Sequence, residues 1–225
     1  MFNYFDKAYV INLDTRKDRW RHIQNTIKTM SITNWERISA VKHDDGGKGC
    51  YLSHLKVLDK IIASKNGKAL VLEDDAELYD DWKLIWNKSL RQLPNDWEIV
   101  YLGYNVDPHT FKPSEHSPSL ISPNILRLYG CLTTHAYAVR STAIASSIME
   151  IIGKQHIRCL VGKGNKYPSI DVVYSCLVTN RFNTYGIYPM LFKQLNGRSD
   201  IIKIEINYPL RSNVKAVLKK LGYSV

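Results

Sequence analysis

A short apolar segment that ends in three consecutive carboxylates constrains the fold of this chain more than any other feature. Residues 68–72 read Lys-Ala-Leu-Val-Leu, begin after Gly67, and are followed directly by Glu73, Asp74 and Asp75. An apolar run of this length, bounded by a turn signal, is typical of a strand buried on both faces in an α/β sheet. Three carboxylates at such a strand end repel one another unless a cation or hydrogen-bond donors neutralise them.

The segments around this strand alternate between strand and helix patterns. Apolar residues at helical spacing occur in five segments, which are 20–30, 52–62, 82–93, 144–152 and 169–177. Runs of β-favouring residues occur in five others, which are 10–13, 98–103, 125–129, 135–139 and 185–191. The alternation predicts an α/β fold, a mixed sheet flanked by helices. We expect Asp14 or Thr15 to cap the first helix and Ser141 a later one. The glycine-rich segment 46–49 is expected to form a flexible loop.

The chain has 225 residues, without a repeat or a linker, which predicts one domain. Residues 104–124 lose periodicity and contain four prolines, and we interpret them as a mobile, functional loop.

Residues 203–225 form a basic tail in which lysines alternate with apolar residues. Such a helix suits contact with an anionic membrane, and a plain C-terminal helix with cations near its end explains the pattern as well.

The composition limits the class of protein. Hydrophobic residues make up 44% and charged residues 23%, as in an ordinary globular protein. The longest strongly apolar run has four residues and no apolar leader is present, so we expect neither a membrane-spanning helix nor a signal peptide. The four cysteines form no metal-binding pair, which favours reduced, mostly buried thiols in a cytoplasmic protein.

The net charge of +10 is unevenly distributed, because residues 51–100 contain seven basic and nine acidic residues. A basic protein with one acidic segment predicts anionic partners and a bound cation. Ligands of open α/β sheets bind at the carboxyl ends of strands, and carboxylates placed there suit Mg²⁺ or Mn²⁺. The alternative is that the acidic residues within 73–81 form a solvated helix start.

Short motifs in order from residue 8 to about residue 202 resemble those of glycosyltransferase family 25, which contains bacterial lipopolysaccharide glycosyltransferases and collagen galactosyltransferases. The motifs are Val10 to Asp14 with Arg16 and Arg19, Gly49 to Leu55, Leu70 to Asp75, His135 to Ser141, Pro168 to Asp171, and Gln194 with Ser199 to Ile201. The resemblance implies a GT-A-like (Rossmann-like) single domain, a nucleotide-sugar donor, a divalent metal and inversion at the anomeric carbon. Thr134-His135 departs from the small residues expected there.

The resemblance also implies roles for the matching residues. Asp75 would ligate the metal, and Asp200 is a further candidate ligand. Glu73 would reach the metal through water or touch the ribose, and Asp74 would brace the site or cap a helix. The other candidates for binding the nucleotide and its phosphates are Asn12, Arg16, Arg19, Ser53 and His54. We expect only one of the two arginines to matter, and a structural role also explains His54.

Asp171 is the candidate general base. It lies between Ile170 and the pair Val172-Val173, and a carboxyl group within an apolar helix start can have a raised pKa, which suits a base near neutral pH. The alternative is a carboxylate that accepts hydrogen bonds from backbone N–H groups at the start of a helix.

We therefore expect a metal-dependent inverting transferase, using Mn²⁺ or Mg²⁺, that moves a hexose such as galactose or glucose from a UDP-sugar to a glycan or glycolipid hydroxyl. Residues 1–103 would bind the donor, and residues 125–202 the acceptor. A metal-dependent phosphohydrolase or nuclease is an alternative, although further ligands for two metals are few. A nucleic-acid-binding domain is another, but no motif supports it and we expect no nucleic acid. An inactive transferase relative also fits the motifs.

Overall fold

The computed structural model describes residues 3–64, 67–106, 108–109, 111–154, 169–198, 205–206 and 210–225. Its strands are Lys7–Asn12 (β1), Trp35–Ser39 (β2), Ala69–Glu73 (β3), Ala76–Leu78 (β4), Ile99–Asn105 (β5), Ser119–Ser122 (β6), Ile125–Arg127 (β7), Leu132–Val139 (β8), Thr184–Ile187 (β9), Phe192–Gln194 (β10), Gly197–Arg198 (β11) and Glu205–Ile206 (β12). Eight of them form one mixed sheet in the order β2-β1-β3-β8-β5-β9-β7-β6. Strands β10 and β4 form a small antiparallel sheet, and β11 and β12 another.

Helices cover the central sheet, as the sequence predicts for an α/β fold. They are Lys17–Met30 (α1), Gly46–Ser64 (α2), Trp82–Leu90 (α3), Thr142–Lys154 (α4), Ile170–Val173 (α5), which continues into a π-helical turn at Tyr174–Val178, and Leu210–Lys220 (α6). Within the described ranges, no helix combines the length and apolar character needed to cross a membrane.

Strand β3 is buried on both faces because its side chains alternate between two apolar cores. Val71 packs into the core that contains residues of α2, α4 and α6. Leu70 and Leu72 pack into the core that contains residues of α1 and α3. All three side chains are inaccessible to solvent, so the predicted buried strand is confirmed.

The pairing of β3 determines which chain segments meet at its acidic end. Strand β1 runs parallel to it, with Ile11 in register with Glu73, and β2 runs parallel to β1. Strand β8 pairs with β3 in the antiparallel direction, so its first residues lie at the same edge. The carboxyl ends of β1, β2 and β3 and the beginning of β8 therefore surround one position.

The prediction of a loop at the glycine-rich segment 46–49 is wrong, because α2 begins at Gly46. A Cβ atom at Gly49 would lie 2.6 Å from the carbonyl oxygen of Val41. The missing side chain thus lets the segment after β2 pack closely against the first turn of α2. Tertiary contact, rather than flexibility, explains this glycine.

The predicted caps have different outcomes. At α1 the N-cap is Arg16, which makes no side-chain capping bond, so capping by Asp14 or Thr15 is wrong. The Asp14 carboxylate instead accepts hydrogen bonds from Arg37 and Ser39. At α4 the Ser141 hydroxyl accepts a bond from a backbone N–H of the first turn at 3.3 Å, which confirms the cap.

Two segments differ from their expected form. Residues 104–124 include the end of β5 and all of β6, so part of this segment is regular strand. The apolar face of α6, formed by Leu210, Val214, Val217 and Leu218, is buried in the core. This face therefore cannot lie in a membrane surface, and only the exposed lysines of α6 are left for such a contact.

The described cysteines are free thiols, as expected, but they are not all buried. Cys131 is buried, Cys50 is half-buried and Cys176 is exposed. The prediction of mostly buried thiols is wrong for Cys176, and Cys159 lies outside the described residues.

Candidate functional site

A cavity of about 300 Å³ opens where β1, β2 and β3 end. Its walls are the ends of β1 and β3, the segment 40–43 after β2, the first turns of α2, and residues 194–195, where β10 ends. This volume is at the lower end of the range for small-molecule sites. The structure brings seven of the predicted site residues to its walls: Asn12, Arg19, Ser53, His54, Glu73, Asp74 and Asp75.

Asp74 and Asp75 lie in the turn between β3 and β4, and only 7% and 8% of their surfaces are exposed. The alternative of a solvated helix start is therefore wrong, since α3 begins only at Trp82. Arg19 Nη1 lies 3.2 Å from Asp74 Oδ1 and 3.1 Å from Asp75 Oδ2. One guanidinium group thus partly neutralises two buried carboxylates.

Asn12 connects the end of β1 to the same cluster. Its Nδ2 donates to Asp74 Oδ2 at 2.7 Å, and its Oδ1 accepts from Arg37 Nε and Nη2 at 3.0 and 2.7 Å. Arg37 also forms an ion pair with Asp14 at 2.6 Å. The acidic turn is therefore supported by a polar network that crosses β1 and β2.

Glu73, the remaining carboxylate of the cluster, has a different environment from Asp74 and Asp75. Burial raises the pKa of Glu73, but hydrogen bonds from His54 and Thr134 outweigh it, and the net pKa is lowered. Thr134 Oγ1 donates to Glu73 Oε1 at 2.9 Å, and His54 Nε2 lies 3.3 Å from that same oxygen. The surroundings of Glu73 therefore favour its charged form.

Asp75 has the most perturbed carboxyl group of the cluster. Burial, followed by the charge of Glu73, raises its pKa to about 7, and burial also raises the pKa of Asp74. The Oδ1 atom of Asp75 is buried and has no hydrogen-bond partner among the described residues. A buried oxygen that only accepts needs a donor or a cation, and carboxylate oxygens suit Mn²⁺ and Mg²⁺. The residues at this position therefore fit a divalent cation.

Two predicted nucleotide-binding residues have other contacts. Ser53 Oγ donates to the Gly49 carbonyl at 2.6 Å and accepts from Val41 N–H at 2.8 Å, so it joins α2 to the segment after β2. Arg16 forms an ion pair with Asp18 at 2.8 Å and is not among the cavity-lining residues. Of the two arginines only Arg19 reaches the cavity. Asp200 lies outside the described residues.

Asp171 lies near the start of β8 and does not line the cavity. Its Oδ2 accepts from Thr133 N–H at 3.2 Å, and its Oδ1 accepts from Val172 N–H at 2.8 Å and from the Ser169 hydroxyl. The backbone of Thr133 has a φ of 69°, an unfavourable conformation for a β-branched residue. Strain of this kind is common at functional sites, where the surrounding structure maintains it.

Sequence reasoning missed several residues that form the site. Arg37 lies on a strand that the sequence did not predict, and Thr134 was noted only as a departure from the motif. Gln194 was part of a motif without an assigned role, yet it lines the cavity and its Oε1 is buried without a partner among the described residues. Lys42, His43 and Cys50 line the cavity as well. No periodicity marks these residues.

Comparison with known proteins confirms the resemblance seen in the sequence. Residues 44–122 match the model of glycosyltransferase family 25, described as a lipopolysaccharide biosynthesis protein. The chain is 25% identical over 154 residues to procollagen galactosyltransferase 2 of Mus musculus, covering 55% of this chain and 24% of that protein. A putative glycosyltransferase of Acanthamoeba polyphaga mimivirus is 29% identical over 123 residues, covering 45% and 38%.

A relative described as inactive matches to a similar extent. The probable inactive glycosyltransferase 25 family member 3 of Rattus norvegicus is 24% identical over 152 residues, covering 52% of this chain and 26% of that protein. The chain thus spans about a quarter of the length of its rodent relatives, and similarity alone does not distinguish an active from an inactive member.

The fold has a counterpart among solved structures. A glycosyltransferase involved in the glycosylation of the major capsid of PBCV-1 superimposes with a TM-score of 0.51 at 8% identity, covering 96% of this chain and 98% of that one. The GT-A-like mixed sheet flanked by helices that the sequence predicts is thereby confirmed.

Proposed function

We propose that this chain, which matches glycosyltransferase family 25 over residues 44–122, moves a hexose from a UDP-sugar to a hydroxyl group of a glycan or glycolipid. The transfer depends on Mn²⁺ or Mg²⁺ and inverts the anomeric carbon. The observation that carries the proposal is the buried Oδ1 of Asp75, which has no hydrogen-bond partner among the described residues and lies in a cavity at the carboxyl ends of three parallel strands.

Asp75 holds the divalent ion in this proposal, with Glu73 reaching it through water and Asp74 supporting the turn. Asp200 stays a further candidate for a ligand. When bound, the ion neutralises the negative charge that develops on the departing diphosphate. Arg19 and Lys42 add positive charge at the cavity walls. Apolar wall residues beside them, including Ile11 and Val41, suit the nucleoside.

Asp171 accepts the proton of the attacking hydroxyl group in this proposal. Asp171 accepts a hydrogen bond from the Thr133 N–H, and the hydroxyl of the next residue, Thr134, donates to the cavity-lining Glu73, which supports a position of Asp171 close to the cavity. The hydroxyl group of the acceptor then lies between Asp171 and the donor sugar. An in-line attack from the side opposite the diphosphate gives inversion.

The expected cellular setting is part of the same proposal. A cytoplasmic enzyme of lipopolysaccharide or other glycan biosynthesis meets its acceptor at a membrane or on a soluble glycan. The exposed Lys215 and Lys219 of α6 are available for contact with anionic headgroups. Nucleic acid is not an expected partner.

Calorimetric titration of UDP tests the donor site. We expect binding with Mn²⁺, loss of binding with EDTA, and loss in Asp75→Asn. Asp80→Asn removes an exposed carboxylate five residues away and is the matched control, with unchanged affinity. Absence of UDP binding with and without metal would contradict a UDP-linked donor. A screen of UDP-hexoses for hydrolysis follows, and UDP binding without turnover of any of them would indicate an inactive family member.

A further inference from the structure

A thiol, an imidazole and a carboxylate meet on one side of the cavity. Cys50 and His54 lie one turn apart on α2, and Glu73 ends β3. One potential ligand atom from each residue lies within 4.8 Å of the other two. All three residues line the cavity, so an ion can enter from solvent.

We propose that Cys50, His54 and Glu73 form a binding site for a Zn²⁺-type ion, next to the hard-cation site at Asp75, which Glu73 reaches only through water. A thiolate, an imidazole nitrogen and a carboxylate oxygen are the ligand types that zinc uses, whereas Mg²⁺ and Mn²⁺ favour oxygen alone. Three protein ligands leave the fourth tetrahedral position open towards the cavity. Water or an oxygen of a bound ligand takes that position.

The surroundings of His54 suit a metal ligand. Its ring is fully buried, and its Nδ1 lies 3.1 Å from the hydroxyl of Tyr137, which in turn lies 3.3 Å from the hydroxyl of Tyr174. Ligating histidines usually donate their second N–H to such an oxygen, which orients the ring. Thr134 already binds Glu73 Oε1 at 2.9 Å, which leaves Oε2 for the ion.

Titration of the reduced, EDTA-treated protein with Co²⁺ tests the site without any sugar or nucleotide. We expect one equivalent of Co²⁺ to produce a thiolate-to-cobalt charge-transfer band together with the visible bands of a tetrahedral ion. Zn²⁺ should displace the ion, and an excess of Mg²⁺ should not. The Cys50→Ala variant should lose the charge-transfer band, whereas Cys176→Ala, which removes an exposed thiol, should keep it.

Two further variants keep the test independent of folding defects in Cys50→Ala. Tyr137→Phe retains all three ligands and should weaken Co²⁺ binding about tenfold, and Asp75→Asn should leave the charge-transfer band intact. A wild-type protein without the band would overturn the proposal, as would a band that survives in Cys50→Ala. Because the readout is the cobalt spectrum, this result is separate from the outcome of the UDP titration.

Discussion

Arg37 donates two hydrogen bonds to a single atom of Asn12, from Nε at 3.0 Å and from Nη2 at 2.7 Å to Oδ1. An amide whose oxygen is held in this way can present only its Nδ2 group to the other side. That group donates to Asp74 at 2.7 Å. Arg37 thus determines which end of the Asn12 amide faces the acidic turn, although it does not line the cavity itself.

Replacement of Arg37 tests this relationship. In Arg37→Gln, Asn12 Oδ1 loses both guanidinium donors, and only the Nδ2 bonds to Asp74 and to the Arg16 carbonyl still hold the amide. We expect the free energy of unfolding to fall by about 1.5–3 kcal/mol, typical of a hydrogen bond to a charged group. The affinity for UDP in the presence of Mn²⁺ should fall several-fold because the donor to Asp74 is held less firmly. Urea unfolding and calorimetry measure the two effects. Arg21→Gln, on the exposed face of α1, is the control and should change neither.

Arg19 occupies the position between Asp74 and Asp75 where a cation is needed. In Arg19→Gln both buried carboxylates lose their positive partner, and breaking such a pair costs about 3 kcal/mol or more. We expect this loss of stability in the metal-free protein, tighter Mn²⁺ binding because a competing cation is removed, and weaker UDP binding because a phosphate contact is lost.

The matched control for Arg19 is Arg16→Gln, three residues earlier in the chain. The ion pair of Arg16 with Asp18 is largely exposed, with 67% of the Asp18 side chain accessible, so its removal should cost less than about 1 kcal/mol. Weaker Mn²⁺ binding in Arg19→Gln would show that the arginine supports the metal site instead of competing with it.

The central part of the fold could be predicted from sequence because local patterns determine it. The apolar run of β3 and the carboxylates after it are contiguous, and their position at a sheet edge follows from the parallel pairing with β1. Strand β2 was missed because charged Glu36 and Arg37 interrupt its pattern. The contact of Arg37 with Asn12 joins residues on neighbouring strands, and only tertiary structure reveals such pairs.

The departure of Thr134-His135 from the family motif also has a tertiary explanation. The His135 ring is fully buried next to Gly103, where a Cβ atom would lie 2.1 Å from His135 Nε2. The glycine on β5 thus provides the space that a larger residue on β8 needs. Thr134, the other departing residue, supplies a hydrogen bond to Glu73.

Burial of His135 makes the stability of the protein dependent on pH. Burial lowers the pKa of this ring to about 4, whereas the unfolded chain has an ordinary pKa near 6.5. Below pH 6.5 the unfolded state therefore binds a proton that the native state does not, and the free energy of unfolding falls as the pH decreases towards 4. The slope for one group approaches about 1.4 kcal/mol per pH unit.

Urea unfolding of the wild type and of His135→Asn at pH 7, 6 and 5, in EDTA, isolates this contribution. Between pH 7 and pH 5 the free energy of unfolding of the wild type should fall by about 2 kcal/mol more than that of His135→Asn. The carboxylates titrate in both proteins and cancel in the difference. Parallel pH profiles would show that folding does not lower the pKa of His135.

Asp171 makes a separable contribution to turnover. Asn can still accept the hydrogen bond from Thr133 N–H through its carbonyl oxygen, and the Ser169 hydroxyl can accept from its Nδ2. Asp171→Asn therefore loses only the bond from the neighbouring Val172 N–H and should still fold. It cannot take a proton from the acceptor hydroxyl, and loss of a general base typically lowers kcat by about 10²–10⁴-fold. The affinity for UDP with Mn²⁺ should stay within twofold, because Asp171 does not line the donor cavity.

Asp59→Asn, which neutralises an exposed carboxylate on α2, controls for the change in net charge and should keep full activity. Equal losses of kcat and UDP affinity in Asp171→Asn would show that Asp171 has only a structural role, in which it joins α5 to β8. In that case its bonds to Thr133 and Val172 are its whole role, and the base lies elsewhere. A selective loss of kcat leads to the opposite conclusion, because the variant retains the acceptor for the Thr133 N–H and lacks a group that can bind the transferred proton.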